Sequence, residues 1–477
     1  MPATQIVSSD ALRSLAATLD GQVITHEHDD YESARRIWNG MIDRRPAVIA
    51  RCHNVSDVVA AVRFAREHDL LVAVRGGGHS VAGLSMCDGG IVIDLSPMRG
   101  IDVDYTRRVV KAQPGVLWGE LDRAAQYFGL AASGGVVSHT GIAGLTVGGG
   151  FGWLARKYGL ACDNLVSAEV VTAAGEVVTA SADVNSELFW GLRGGGGNFG
   201  IVTSFEYRLH PVGPLVVAGS LYWTLERASD VYRFYRQWTP ELTDDLATGI
   251  GFWRTPDEHF VPQELRGVPM LSVVAVHVGP SIDEGERLVN ELRAAVPPAF
   301  DDVKTIPYVA VNHMLDVPHG VRSYWKTIHV DTLSDELLEK LLELFKRAPS
   351  PDSQLYIEHA LGAVARVADD AMAFSHRNAR YRIIVDALWS EAEDDAENIA
   401  WAHGAGAALQ PFATGTSYLN YVADTSEADV RRGYTEEKYR RLLALKDEYD
   451  PGNLFSLNLN IKPTTTTTSA NPREASL

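Results

Sequence analysis

Two rhythms of hydrophobic and polar positions run along this chain, and they change over near residue 214. Before it, short apolar runs alternate with helical stripes. Pro46 to Ala50, Leu70 to Val74, Ile91 to Leu95 and Val109 to Ala112 read as buried strands. Apolar residues at 55, 58, 59, 62 and 65 form a helical stripe over Val55 to Glu67, with Ser56 placed to cap it. Leu117, Leu121, Ala125 and Phe128 mark a second amphipathic helix. After 214, alternating strands (Val216 to Tyr222, Leu271 to Val278, Tyr381 to Leu388) mix with charged amphipathic helices (Ile282 to Ala295, Ser334 to Arg347). That texture predicts an α+β domain with an antiparallel sheet. A helix over Glu436 to Glu448 follows, and a threonine run opens a tail expected to be disordered over 464–477.

At 477 residues the chain exceeds one ordinary core, so two domains are expected. An apolar share of 46% with 22% charged residues is that of a soluble globular protein. The 43 basic residues against 61 acidic ones give a net charge of −18, which argues against a nucleic-acid partner. No run of about 18 apolar residues predicts a membrane span. Met1 to Asp20 lacks a basic segment followed by an apolar core, so a cytoplasmic location is expected. The three cysteines, Cys52, Cys87 and Cys162, do not form a disulfide framework. His26-Glu27-His28-Asp29 has no second ligand pair to close a site, so it reads as a solvated loop and no metal is expected.

Three glycine clusters carry the candidate chemistry. The first, Arg75-Gly76-Gly77-Gly78-His79-Ser80, follows a predicted strand. Its glycines allow close backbone approach with N–H groups turned outward, which suits a pyrophosphate. His79 projects from the same turn, as a covalent flavin link would need. The second spans 134–152, including Gly135, Gly141, Gly144, Gly149 and Gly152. Val136, Val137, Ile142, Leu145 and Val147 interleave it, so it reads as packed backbone beside a flat ligand rather than a linker. The third, Arg193 to Gly200, satisfies G-x-G-x-x-G through Gly195, Gly197 and Gly200. A helix is expected before it and a strand after it, the reverse of a nicotinamide-dinucleotide fingerprint.

These clusters, with Asn420-Tyr421, Tyr449-Asp450-Pro451 and Leu457-Asn458-Leu459-Asn460-Ile461, resemble the vanillyl-alcohol-oxidase/PCMH superfamily in its berberine-bridge-enzyme-like branch. Members include hydroxynicotine oxidases, sugar oxidases and natural-product tailoring oxidases. The resemblance runs from about Tyr31 to Pro463. It implies a PCMH-type FAD-binding domain over 1–213 and a substrate domain over 214–415, whose large antiparallel sheet is covered by helices. A segment over 416–463 returns to the FAD domain. It also implies the site. His79 matches the histidine that bonds the flavin 8α carbon. Arg75, Gly76, Gly77, Gly78, Ser80 and Gly83 match the pyrophosphate loop. Gly135, Ser138, His139, Gly141, Gly144, Gly149 and Gly152 match the second contact with the cofactor, and Asn458 and Asn460 lie near the flavin ring. Many relatives carry a second link through a cysteine twelve positions before the first glycine of G-G-x-G. That position here is Val137, so one covalent bond, through His79 only, is expected.

The implied activity is hydride transfer from an alcohol, amine or phenolic substrate to flavin N5, with O2 as acceptor and H2O2 as product. The flavin performs the redox step and the protein supplies position and a base. Tyr421 matches the catalytic tyrosine of several relatives. A phenolate needs nearby positive charge, for which Arg382 is the candidate. Glu358 is an alternative base or substrate anchor. A dehydrogenase with another acceptor, a tailoring oxygenase or cyclase, and a flavoprotein that binds without turnover stay open at this level.

Overall fold

A computed structural model describes residues 7–375, 377–414 and 418–464. The tail expected over 464–477 lies, apart from Thr464, outside the described residues.

The first half forms two larger sheets and a two-stranded one, Leu130–Ala131 with His210–Pro211. Gln22–Ile24, Val48–Arg51, Ile91–Asp94 and Val72–Arg75 lie side by side in that order. The strands Val48–Arg51 and Val72–Arg75 both pair in parallel with Ile91–Asp94. The helix Val55–Glu67 makes the crossover between them. Its cap is Asn54, not Ser56: Asn54 has extended backbone and its side chain accepts from the Asp57 N–H. The second sheet is antiparallel, in the order Ile101–Asp104, Val109–Ala112, Ile201–Arg208, Leu165–Val171, Val177–Ser181.

The second half builds one eight-stranded antiparallel sheet. Its centre runs Leu215–Thr224, Pro269–His277, Leu246–Arg254, Gln354–His359, Tyr381–Trp389, Arg322–Val330. Alternation then sorts the side chains. Ile383 and Val385 join Ile357, Ile250 and Val273 in a core with the helices Ala228–Trp238, Ile282–Ala295, Asp335–Lys346 and Asp395–Leu409. Ile384, one residue out of phase, joins Tyr356 and Trp325 in a cluster with Trp118, Phe151, Tyr418 and Tyr421. The sheet therefore turns one face to its own helices and the other to the first half of the chain.

The C-terminal segment is pinned from inside. On the helix Glu436–Tyr449, Leu442 and Leu445 pack in the cluster that holds Phe199. Lys446 and Asp450 form a fully buried pair at 2.6 Å. The Lys446 ammonium also donates to the Asn198 and Phe455 carbonyls, each at 3.1 Å. Asp450 accepts from the N–H groups of Leu454 and Phe455. Asn198 closes the join, accepting from the Ile461 N–H and donating to the Leu459 carbonyl. Satisfied this fully, the pair fixes 455–461 against the third glycine cluster. Removing one partner of such a pair costs about 3–5 kcal/mol.

Candidate active site

A long, mostly apolar cavity runs between the glycine clusters and the sheet. Its floor starts at the turn after Val72–Arg75. Arg75 ends that strand with its side chain buried, donating Nε to Asp94 Oδ1 at 2.9 Å and Nη2 to Oδ2 at 2.5 Å. Burial pushes the Asp94 carboxyl up, but the Arg75 hydrogen bond and charge hold it below its ordinary value. Arg75 thus braces the turn and does not line the cavity. Gly76, Gly77, Gly78, His79 and Ser80 do line it. A Cβ on Gly77 would lie 2.5 Å from the Gly141 Cα, so the first two glycine clusters touch backbone to backbone.

His79 stands at one end of the cavity. Its ring stacks on Trp38 with centroids 4.3 Å apart, and its Nε2 lies 3.2 Å from His139 Nδ1. Burial, then His139 and His319, push its pKa down to about 3. The imidazole is therefore neutral near pH 7 and keeps a lone pair for bonding. His139 does not line the cavity; it lies between His79 and His319, 4.9 Å from the latter between ring centroids.

The remaining predicted residues divide by what they touch. Gly141, Gly144 and Asn458 line the cavity. Gly83, Gly135, Gly149, Gly152 and Ser138 are not part of this lining. A Cβ would strike Ile42 at Gly83, Leu145 at Gly135, Phe374 at Gly149 and the Gly134 carbonyl at Gly152. These glycines let the chain pack tightly around the site. Ser138 binds Asp316 through both its N–H, at 2.8 Å, and its hydroxyl, at 2.6 Å. Asn460 is not in the lining either, although its Oδ1 is buried without a hydrogen-bond partner. The third cluster was under-read. Its flanks are as expected, Ser186–Leu192 helical and Ile201–Arg208 a strand, yet Gly194, Gly196, Gly197 and Gly200 all line the cavity. The density of glycine was the available signal. Asp316 and His319 had none, since they reach the site from far along the chain.

Of the three candidate catalytic residues, Tyr421 lines the cavity, and Glu358 and Arg382 connect to it through hydrogen bonds behind Tyr421. Glu358 and Arg382 face each other across neighbouring strands, and Arg382 Nη1 donates to Glu358 Oε2 at 2.7 Å. Tyr421 donates its hydroxyl to Glu358 Oε1 at 3.4 Å. The Arg382 guanidinium lies 4.5 Å from the ring centroids of both Phe151 and Tyr418, and 5.9 Å from that of Tyr421. Tyr421 is positioned by its own carbonyl, which accepts from Thr327, and by Asn420, which donates to the Leu145 carbonyl. Burial first, then Glu358, raise the Tyr421 phenol well above its ordinary value. Arg382 opposes this only weakly because its charge is spent on Glu358. A resting phenolate, the state expected from the sequence, does not fit this surrounding.

The cavity fits a flat dinucleotide on two independent grounds. A Cβ on Gly144 or Gly197 would meet nothing within 4 Å, so both glycines border open space that a side chain would fill. Among the described residues, Ser85 Oγ and Asn458 Oδ1 belong to the lining and are buried without partners, as donors and acceptors awaiting a ligand are. Val137 lines the cavity where a cysteine would be needed for a second link.

Comparison with known proteins decides the family. Residues 46–181 match the FAD binding domain family, and residues 417–462 match the berberine and berberine-like family. The chain is 32% identical over 466 residues to (R)-6-hydroxynicotine oxidase of Paenarthrobacter nicotinovorans, covering 94% of this chain and 97% of that protein. It is 31% identical over 471 residues to an FAD-linked oxidoreductase of Dictyostelium discoideum, covering 97% and 98%. This chain belongs to the berberine-bridge-like FAD-linked oxidoreductases. The crystal structure of 6-hydroxy-D-nicotine oxidase from Arthrobacter nicotinovorans superposes with a TM-score of 0.84 at 30% identity, covering 93% of this chain and 98% of that one. A BBE-like protein of Physcomitrella patens shares the fold at a TM-score of 0.83 and 23% identity, covering 94% and 99%. The oxidoreductase is thus an FAD enzyme of α+β build. Among the described residues no helix is long and apolar enough to cross a membrane.

Proposed function

We propose that this oxidoreductase is a small-molecule oxidase whose FAD is bonded to His79 alone. On this reading residues 1–213 hold the cofactor, 214–415 the substrate, and 416–463 supply Tyr421 and the closing wall. Gly76, Gly77, Gly78 and Ser80 hold the pyrophosphate, and Gly141, Gly144 and Asn458 flank the ring system. When bound, FAD supplies the two-electron chemistry, taking a hydride from the substrate carbon and passing the electrons to O2 as H2O2. The protein's part is position and the proton. The single observation that carries the reading is the hydrogen-bonded chain Tyr421–Glu358–Arg382, which meets the glycine-built cavity through Tyr421. Tyr421 meets the substrate hydroxyl or amine and leads its proton to Glu358. Arg382 keeps that carboxylate available as a base despite burial.

Two measurements test this. The first is anaerobic bleaching of the flavin against a panel of sugars, aryl alcohols, cyclic amines and phenolic polyketides, followed by air. Bleaching by one class with colour restored by air is the expected result. Reduced protein that stays bleached in air but passes electrons to a dye makes the enzyme a dehydrogenase instead. The second probes the cofactor cavity. Gly144→Val adds bulk where a Cβ meets nothing within 4 Å, so the chain folds. It is expected to purify with the wild-type far-UV circular dichroism and without 450 nm absorbance. Wild-type flavin content in that variant would place the cofactor elsewhere.

A further inference from the structure

The sheet face above the cavity carries a second carboxylate that this chemistry does not use. Asp386 lies four residues beyond Arg382 on Tyr381–Trp389, so both point to the same face. Ile384 between them packs in the cluster of Tyr356, Trp325 and Tyr421. Directly opposite Asp386 are Trp325 on one neighbouring strand and Gln354 on the other. Trp325 lines the cavity and stands edge-on to Tyr421, with ring centroids 5.2 Å apart.

Asp386 is only 5% exposed, and among the described residues its Oδ1 has no hydrogen-bond partner. The Trp325 N–H also lacks a partner in good geometry. Burial pushes the Asp386 carboxyl up to about 7, with the Trp325 side chain opposing the rise. Arg382 neutralises Glu358, its bonded partner, and among the described residues no cation pairs with Asp386. A buried carboxylate without a counter-charge is costly unless a ligand brings one. Aromatic side chains flank it: Trp325 stands opposite Asp386, and Tyr356 stands one row along the same sheet face, opposite Ile384. Four residues of strand at about 3.3 Å each put Asp386 roughly 13 Å along the sheet from the Arg382–Glu358 row.

We propose that Asp386 anchors a protonated amine at the end of the substrate remote from the oxidised carbon. The substrate is then two-ended, with its cation between Trp325 and Tyr356 and its reacting group at Tyr421. This rests on Tyr421 and Glu358 marking the reacting end.

The test is anaerobic titration of the flavin-containing enzyme with 4-phenylbutylammonium and with its neutral counterpart 4-phenylbutan-1-ol, read by tryptophan fluorescence. The ammonium is expected to bind at least about 10-fold more weakly to Asp386→Asn than to wild type, whereas the alcohol binds both alike. Equal ammonium affinity for the two proteins overturns the proposal, as does an alcohol that binds wild type as tightly as the ammonium. Should Asp386→Asn fail to fold, Gln354→Glu places a second carboxylate opposite Asp386. It is expected to tighten the ammonium several-fold and not the alcohol; no selective gain overturns the proposal. Binding is read without turnover, so a failure of the Tyr421 and Glu358 assignment appears in flavin reduction and leaves this titration intact.

Discussion

His79→Ala is expected to release its flavin on acid precipitation, while the wild-type pellet stays yellow. Few side chains depend on His79 for packing, since its ring lies on Trp38 at the cavity wall, so the variant keeps its fold. Flavin binding itself survives, weakened, because the glycine clusters and Asn458 remain. What disappears is the one nucleophile suited to a covalent bond. The neutral imidazole at the cavity end qualifies, and no cysteine does. Cys52, Cys87 and Cys162 are all buried. Burial holds the Cys52 and Cys162 thiols well above their ordinary value and pushes Cys87 up to about 12. A thiol so raised is not a thiolate near pH 7 and does not attack. Cys162 moreover points at the Met372 sulfur, 3.7 Å away. Flavin that stays with denatured His79→Ala would sink the single-link reading and require a second attachment, for which the phenols Tyr421 and Tyr434 in the lining are the candidates. The measurement is absorbance of the acid supernatant against the washed pellet.

Much of this was legible in the sequence, for reasons visible in particular residues. The helices Val55–Glu67 and Ile282–Ala295 were marked by apolar stripes long enough to set their limits. Strand Tyr381–Trp389 alternates strongly, and both its faces matter. Several strands escaped, two of them in the middle and at the end of the large sheet. Leu246–Arg254 carries Gly249 and Gly251, which break the alternation because Tyr356 fills the space above Gly251. Arg322–Val330 lies at the end of the sheet order and turns Arg322, Tyr324 and Lys326 to the helix Asp395–Leu409, where they meet Asp395, His403 and Gly406, so it reads as polar. The site followed the same logic. Local turns such as Gly76 to His79 are written in consecutive residues. Contacts such as Ser138 with Asp316, 178 positions apart, are made only by the fold. The state of Tyr421 was also out of reach, because whether Arg382 serves the phenol or the carboxylate depends on a distance.

That distance sets the last expectation. Glu358→Gln is expected to slow flavin reduction by about 10² to 10⁴-fold, the range general base catalysis supplies. Tyr421→Phe is expected to cost about 10²-fold. The order follows from the charges. Burial and Glu358 both raise the Tyr421 phenol, so at neutral pH it holds its proton and acts as donor and conduit. Burial raises Glu358 too, but Arg382, through its charge and hydrogen bond, offsets part of the rise, and the carboxyl loses its proton before the phenol does. A base with a raised pKa works only after deprotonation. The wild-type reduction rate should therefore climb as pH rises through a value above the ordinary carboxylate range of about 4.3. In Glu358→Gln that limb should vanish and the slow rate should be flat there. The substitution also leaves Arg382 buried without its counter-charge, so Glu358→Asp serves as the control for misfolding. It keeps the charge, shortens the reach, and should recover the pH limb with part of the rate. Stopped-flow reduction across pH with any substrate that bleaches the flavin reads all three variants. A near-normal Glu358→Gln beside a crippled Tyr421→Phe would move the base to the phenol, and near-normal rates in both would remove this constellation from the chemistry.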